Sequence, residues 1–179
     1  MAARVALGLC LASTWMACSK NVEKVPEKAV EKAPEVGCGK DYGDPQKVFC
    51  VTLPTGYEAD PHIESDELYS ELIHFKGPNM GDGLTVAVGF SSSNYTTYEQ
   101  QLASDEEVMK MARRKVESSG ATPGNQGKWW LYTDSGIRTL SARAKAANGK
   151  PVGCDPSNST PSPEAVEACK SIRPFPTKL

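Results

Sequence analysis

IRTLSARAKAANGKPVGC, residues 137–154, is the stretch on which the fold turns. Leu140, Ala142, Ala144 and Ala146 recur at every second position, with Arg143 and Lys145 between them. Successive side chains of an extended chain point to opposite sides. The pattern therefore predicts a strand over 137–147, apolar side inward and the two cations outward. Asn148-Gly149 supplies residues that accept positive φ, a strong hairpin signal, so 150–154 should return antiparallel.

Working outward, 129–133 reads as the preceding strand, turning at Asp134-Ser135-Gly136. Residues 84–90 alternate cleanly: Leu84, Val86, Val88 and Phe90 share one side, and Thr85, Ala87 and Gly89 the other. Residues 68–76 and 48–53 complete the strands, closed by Gly77-Pro78-Asn79 and Pro54-Thr55-Gly56. Between the two halves, Thr96 with Glu99 and Ser104 with Glu107 have the capping-box form. Tyr95, Tyr98 and Leu102, then Val108, Met111, Ala112 and Val116, make apolar stripes at helical spacing. The expectation is a short helix, a kink near Ser104, and a longer helix stopped by Gly120. Ser162 caps a last helix with Pro163 at its first position, carrying Val166 and Cys169. This order predicts an α+β fold, a mostly antiparallel sheet of about six strands covered by helices.

The amino terminus carries an address. Arg4 is the only charge before Lys20, and 5–16 is almost wholly apolar or small. That is the layout of a secretory signal, and the run is too short to span a bilayer. Trp15-Met16-Ala17-Cys18 resembles a bacterial lipobox through Ala17 and Cys18. The resemblance implies removal of 1–17 and lipidation of Cys18, with Cys10 discarded in the signal. Two or more acyl chains hold a protein stably at a membrane. Ser19 resembles the sorting residue of outer-membrane lipoproteins, which implies localisation at the cell outer membrane, facing the periplasm or the surface. Residues 18–36 are then the lipidated cysteine and a stalk of Lys, Glu, Pro, Val and Ala. Such a composition buries too little apolar surface to offset its ordering entropy. Extended, the seventeen residues 20–36 would reach roughly 55 Å at about 3.3 Å each. A short helix packed on the domain is the alternative. Residues 37–179 form one domain.

Four cysteines remain there: Cys38, Cys50, Cys154 and Cys169. An even number in an exported chain reads as disulfides. Three pairings are possible, and the preferred one is sequence-local, Cys38–Cys50 with Cys154–Cys169. Each would close a loop worth roughly 3 kcal/mol in the chain-entropy model. Metal binding is disfavoured, since there is no C-x-x-C and no nearby histidine.

The chain resembles the PsbP-like fold in FCVTLPTGY (49–57), the helix after GFSSS (89–93), WWLY (129–132), the Asn148-Gly149 hairpin and EACKSIRPF (167–175). The resemblance covers most of 46–175. Members of that family act by binding partners, which implies a non-enzymatic role by analogy.

Composition and motifs point the same way. Twenty Lys and Arg stand against 22 Asp and Glu, which argues against nucleic acid as a partner. His62, in a loop, and His74, in a strand, read as ordinary imidazoles rather than a metal pair. The glycine-rich stretch 77–83 lacks the spacing of a phosphate loop. No G-x-S-x-G is present. Glu64 with Asp66 and Glu106 with Glu107 read as solvated charges. Lys110, Arg113, Arg114 and Lys115 form a basic cluster expected late in the long helix, complementing its dipole or contacting acidic partners. Of the adjacent Trp129 and Trp130, one should be core and the other, taken as Trp130, is a candidate partner anchor. The expectation is a lipid-anchored, non-catalytic accessory module of a cell-envelope assembly for motility, secretion or adhesion. It has an envelope protein as partner and no cofactor. A periplasmic carrier of small ligands or lipid is the alternative.

Overall fold

A computed structural model describes residues 37–65, 67–79 and 82–176, without the side chains of 61–63. The expected signal, Cys18 and the expected stalk lie outside the described residues. In chain order the elements are β1 (Tyr42–Gly43), β2 (Phe49–Val51), β3 (Glu58–Glu64), β4 (Tyr69–Lys76), β5 (Gly83–Gly89), α1 (Tyr98–Met109), β6 (Arg114–Ala121), β7 (Gly127–Asp134), β8 (Ile137–Lys145), β9 (Pro151–Pro156), α2 (Pro163–Lys170) and β10 (Arg173–Pro174). The class is α+β. The main sheet has seven strands, one more than expected, all antiparallel, in the order β3-β4-β5-β9-β8-β7-β6. A second, three-stranded sheet, β1-β2-β10, packs against it.

The opening hairpin forms as read. Leu140, Ala142, Ala144 and Ala146 are buried, and the Ala146 amide donates to the Lys150 carbonyl at 2.8 Å. Its loop has three residues, 147–149, with Gly149 at φ +83°. Asp134-Ser135-Gly136 also turns where expected, with Ser135 and Gly136 both at positive φ. In β5, Leu84, Val86 and Val88 are fully buried, while Phe90 lies just beyond the strand.

One side of the sheet packs on α2 and the small sheet. There Leu84, Val86, Val88, Leu140, Ala142, Ala144 and Val152 meet Ala165, Val166, Ala168 and Ile172, together with Phe49 and Val51. Alanine recurs in both β8 and α2, and small side chains let a helix approach a sheet closely. The disulfide Cys154–Cys169 ties β9 to α2, and Cys38–Cys50 ties the entry loop to β2. The sequence-local pairing is the one the structure has. Ser162 accepts from the Ala165 amide and Pro163 opens α2, both as read from the sequence.

A buried acid pair sits under the small sheet. Asp44 and Glu71 are each 2% exposed, and Asp44 Oδ2 accepts from the Val48 amide at 3.0 Å. Burial first, and then the Asp44 carboxyl beside it, push Glu71 up to about 7, with Lys150 opposing.

Three expectations are overturned. The two-helix region is one helix, Tyr98–Met109, capped by Thr97, whose side chain accepts from the Gln100 amide in a complete capping box. Ser104 caps nothing, since its hydroxyl lies 2.6 Å from the Tyr95 hydroxyl. Residues 114–121 are not helix but strand β6. Met111 is 47% exposed and Val116 39%, so the supposed apolar stripe never reached a core. Ser118, Ser119 and Gly120 add little helical preference, and pairing with β7 prevails. Second, 58–64 is a strand, so His62 lies in β3 rather than a loop. Third, Arg143 does not face water. Its side chain is 17% exposed, and a Cβ on Gly153 would stand 2.0 Å from its Nη1. Glycine at 153 is what admits the guanidinium.

Candidate docking surface

The second side of the sheet is covered over its β6-β7-β8 half by α1, and that contact is mostly polar. Gln101 is buried, accepts from the Ser91 amide and hydroxyl, and donates to Asp105 at 2.9 Å. Asp105 in turn takes Arg143 Nε at 3.1 Å, and Arg143 Nη1 reaches Asp155 at 3.3 Å. Burial raises the Asp105 carboxyl above its usual range, against the pull of Arg143 and Gln101. Two further ion pairs join helix to sheet, Glu106–Lys128 at 2.7 Å and Glu99–Lys145 at 2.8 Å. The hydrogen bonds from these lysines hold both glutamates below the ordinary range. The apolar share is small: Met109, Trp130 and Tyr132, with Leu102 against them.

Beside α1 the sheet ends at β6. Two clefts flank the helix there. One, of about 520 Å³, is lined by Tyr98, Leu102, Gly120, Ala121, Lys128 and Lys145, among others. The other, of about 240 Å³, is lined by Glu106, Met109, Val116, Ser119, Lys128 and Trp130, among others. Lys128 lines both, so its ion pair with Glu106 stands between them. Tyr98 carries no usable base at neutral pH, because burial and then Glu99, Asp105 and Glu106 push its phenol up to about 12. A groove of about 450 Å³ on the other side runs between Leu53-Pro54 and α2.

The basic cluster lies along the turn from α1 into β6 and not on one helical face. Lys110 is the C-cap of α1 and pairs with Glu107 at 2.6 Å. Arg113 lies in the turn, 3.7 Å from Asp134. Arg114 opens β6, 2.8 Å from the same Asp134 and 5.1 Å over the Tyr132 ring. Lys115 is exposed on β6. Trp130 is the covered member of the pair. It is 3% exposed beneath α1, because that helix covers the side on which its strand position places it. Trp129 faces the opposite side, half-buried, with Lys170 Nζ 4.5 Å above its ring. His74 Nδ1 lies 3.0 Å from the Thr85 hydroxyl. In the 77–83 stretch, Asn79 donates to Asp82 at 2.8 Å. Among the described residues no group of three His, Cys, Asp or Glu is placed to hold a metal.

What the sequence did not reveal is β6 as an edge and the clefts beside it. An edge strand exposed on both sides has no period-two alternation to find. Its only signals were weak, a Ser-Ser-Gly-Ala run unsuited to helix and a following Trp-Trp strand in need of a neighbour.

No family model matches the chain. No curated protein matches it either. Among solved structures it is similar to cyanobacterial PsbP (CyanoP) from Synechocystis sp. PCC 6803, solved in solution, with 14% identity over 66% of this chain and 79% of that one and a TM-score of 0.39. At that score and identity the likeness carries nothing about what this chain does.

Proposed function

We propose that this protein is a lipoprotein held at the outer membrane through Cys18 and a stalk, presenting a non-catalytic domain that binds a protein of the cell envelope. The observation that carries the reading is the open β6 side of the sheet, an eight-residue edge strand flanked by two clefts along α1. Partner binding through a sheet edge needs only backbone groups and receptive pockets. Two disulfides suit an exported domain.

Lysine-reactive cross-linking of the full chain in intact envelopes tests the binding reading, which expects a discrete product with another protein. A chain that stays uncrosslinked at every reagent concentration contradicts it. Cys18→Ala tests the anchor, with loss of membrane association and of lipid labelling expected. Persistence of both contradicts it.

The carrier reading keeps one observation in its favour, the cleft of about 520 Å³ between α1 and the sheet, which is within the size range of ligand pockets. Native mass spectrometry of the purified chain separates the two, since a carrier travels with a bound small molecule and a docking module does not.

A further inference from the structure

The main sheet has two edges, and they are built differently. β3 contains Pro61, which has no amide hydrogen, and its pairing with β4 slips between Ala59 and Ile63. Proline and bulges are the usual means of keeping an edge from pairing. β6 has such protection only in its first half, where the register shifts between Val116 and Ser118. From Ser118 to Ala121 the register is regular, against Leu131, Trp130, Trp129 and Lys128, and the side chains are small. The Thr122 amide donates inward to Gly127. Antiparallel alternation then points the amide and carbonyl of Ser119 and Ala121 outward.

Those same two residues line the clefts. Ser119 borders one and Ala121 the other. A strand laid along β6 would place side chains two residues apart, about 7 Å, over these openings. Leu102 and Tyr98 wall one cleft, Met109 and Trp130 the other. Apolar side chains fit both. Toward the start of β6 the charge is unbalanced. Among the described residues there, Lys110, Arg113, Arg114, Lys115 and Arg138 face three carboxylates, Glu107, Glu117 and Asp134.

We propose that β6 is completed by an extended segment of a partner protein. That segment has apolar residues at alternate positions over the two clefts and acidic residues at the end lying near Lys115. This rests on the binding reading above and names its site and the chemistry of its partner. Backbone pairing supplies the affinity, the clefts select the alternating residues, and the cation excess fixes which end lies where.

The test is site-specific photocross-linking of the full chain in its envelope. A photoreactive amino acid at Ala121 is compared with one at Glu64 on β3, and mass spectrometry reads the captured segment. The proposal expects capture at least tenfold higher from position 121, into a segment of alternating apolar residues with acidic residues at one end. Among the backbone groups Ser119→Pro removes an outward amide hydrogen and no inward one, and it should cut that capture at least tenfold, where Ser119→Ala, which keeps the amide, leaves it unchanged. Lys115→Glu should cut it about threefold or more. Capture of a second copy of this chain, equal capture from both edges, or capture unaffected by Ser119→Pro overturns the proposal. If general cross-linking finds a partner while position 121 captures none, the docking edge is wrong and the binding function stands. If neither finds one, both fall.

Discussion

The two helices lie on opposite sides of one sheet and are held there by different physics. α2 rests on alanines, a valine and an isoleucine that share one continuous core with β5, β8 and β9, and a disulfide bolts it to β9. α1 rests on a buried glutamine, a half-buried arginine between two aspartates, and two exposed lysine–glutamate pairs. Apolar burial is non-directional and is not screened by salt. Ion pairs at a surface are directional, individually weak and screened by salt. The side proposed to take a partner is thus the side held by adjustable contacts, and both clefts along α1 open there. The α2 side is a clamp that keeps the sheet in shape.

The largest effect should come from breaking the hub of the ionic side. Arg143→Ala leaves Asp105 of α1 turned toward the sheet without its counter-charge. We expect a loss of about 3–5 kcal/mol in urea unfolding, the cost of stranding a buried charge. A loss below 1 kcal/mol, on the order of a surface pair, would mean that α1 is held by its apolar contacts after all.

Removing the clamp comes next. Cys154→Ala with Cys169→Ala opens a closure of 15 residues, for an expected loss of about 3 kcal/mol. Amide exchange should then rise over α2 and β9 while α1 changes little. Equal loosening of both helices would erase the contrast.

The acid pair gives a pH signature confined to the small-sheet side. Glu71 sits at about 7 in the folded chain against an ordinary 4.5, so between those values the folded chain binds more protons than the unfolded one. Stability therefore falls as pH rises from 4.5 to about 7, by about 3 kcal/mol, and levels off above that. Glu71→Gln should flatten the profile, read as melting temperature against pH from 5 to 8. A wild-type profile that is flat or rises over this window contradicts the assignment. A smaller effect is expected at the helix start, where Thr97→Ala removes the capping box of α1 for about 1 kcal/mol.

The two sides also differ in how legible they were in sequence. The α2 side was nearly transparent. Period-two apolar residues in 84–88 and 140–146, the Asn148-Gly149 hairpin, the Ser162-Pro163 cap and the cysteine spacing are all local signals, and all point to what forms. The α1 side was misread, because its determinants are not local. Arg143 looks like an outward charge until Gly153, on the neighbouring strand, makes room for it. Val108, Met111, Ala112 and Val116 make a helix-like stripe that runs from α1 into β6, yet pairing with β7 decides the state of 114–121. Trp130 cannot be told from Trp129 until a helix covers one side. β3, with proline within it and charges at both ends, gave no strand pattern at all. Misreading concentrated where the chain departs from a simple apolar core, and that is also where the candidate docking surface lies.

Amide hydrogen exchange of the full chain is the most direct test, measured in native envelopes and again after purification in detergent. A partner strand on β6 should protect the outward amides of Ser119 and Ala121 in the envelope and release them on purification, with β3 and α2 unchanged. Protection that is the same in both states, or that changes at β3 or α2 and not at β6, would contradict the assignment of the α1 side as the working side.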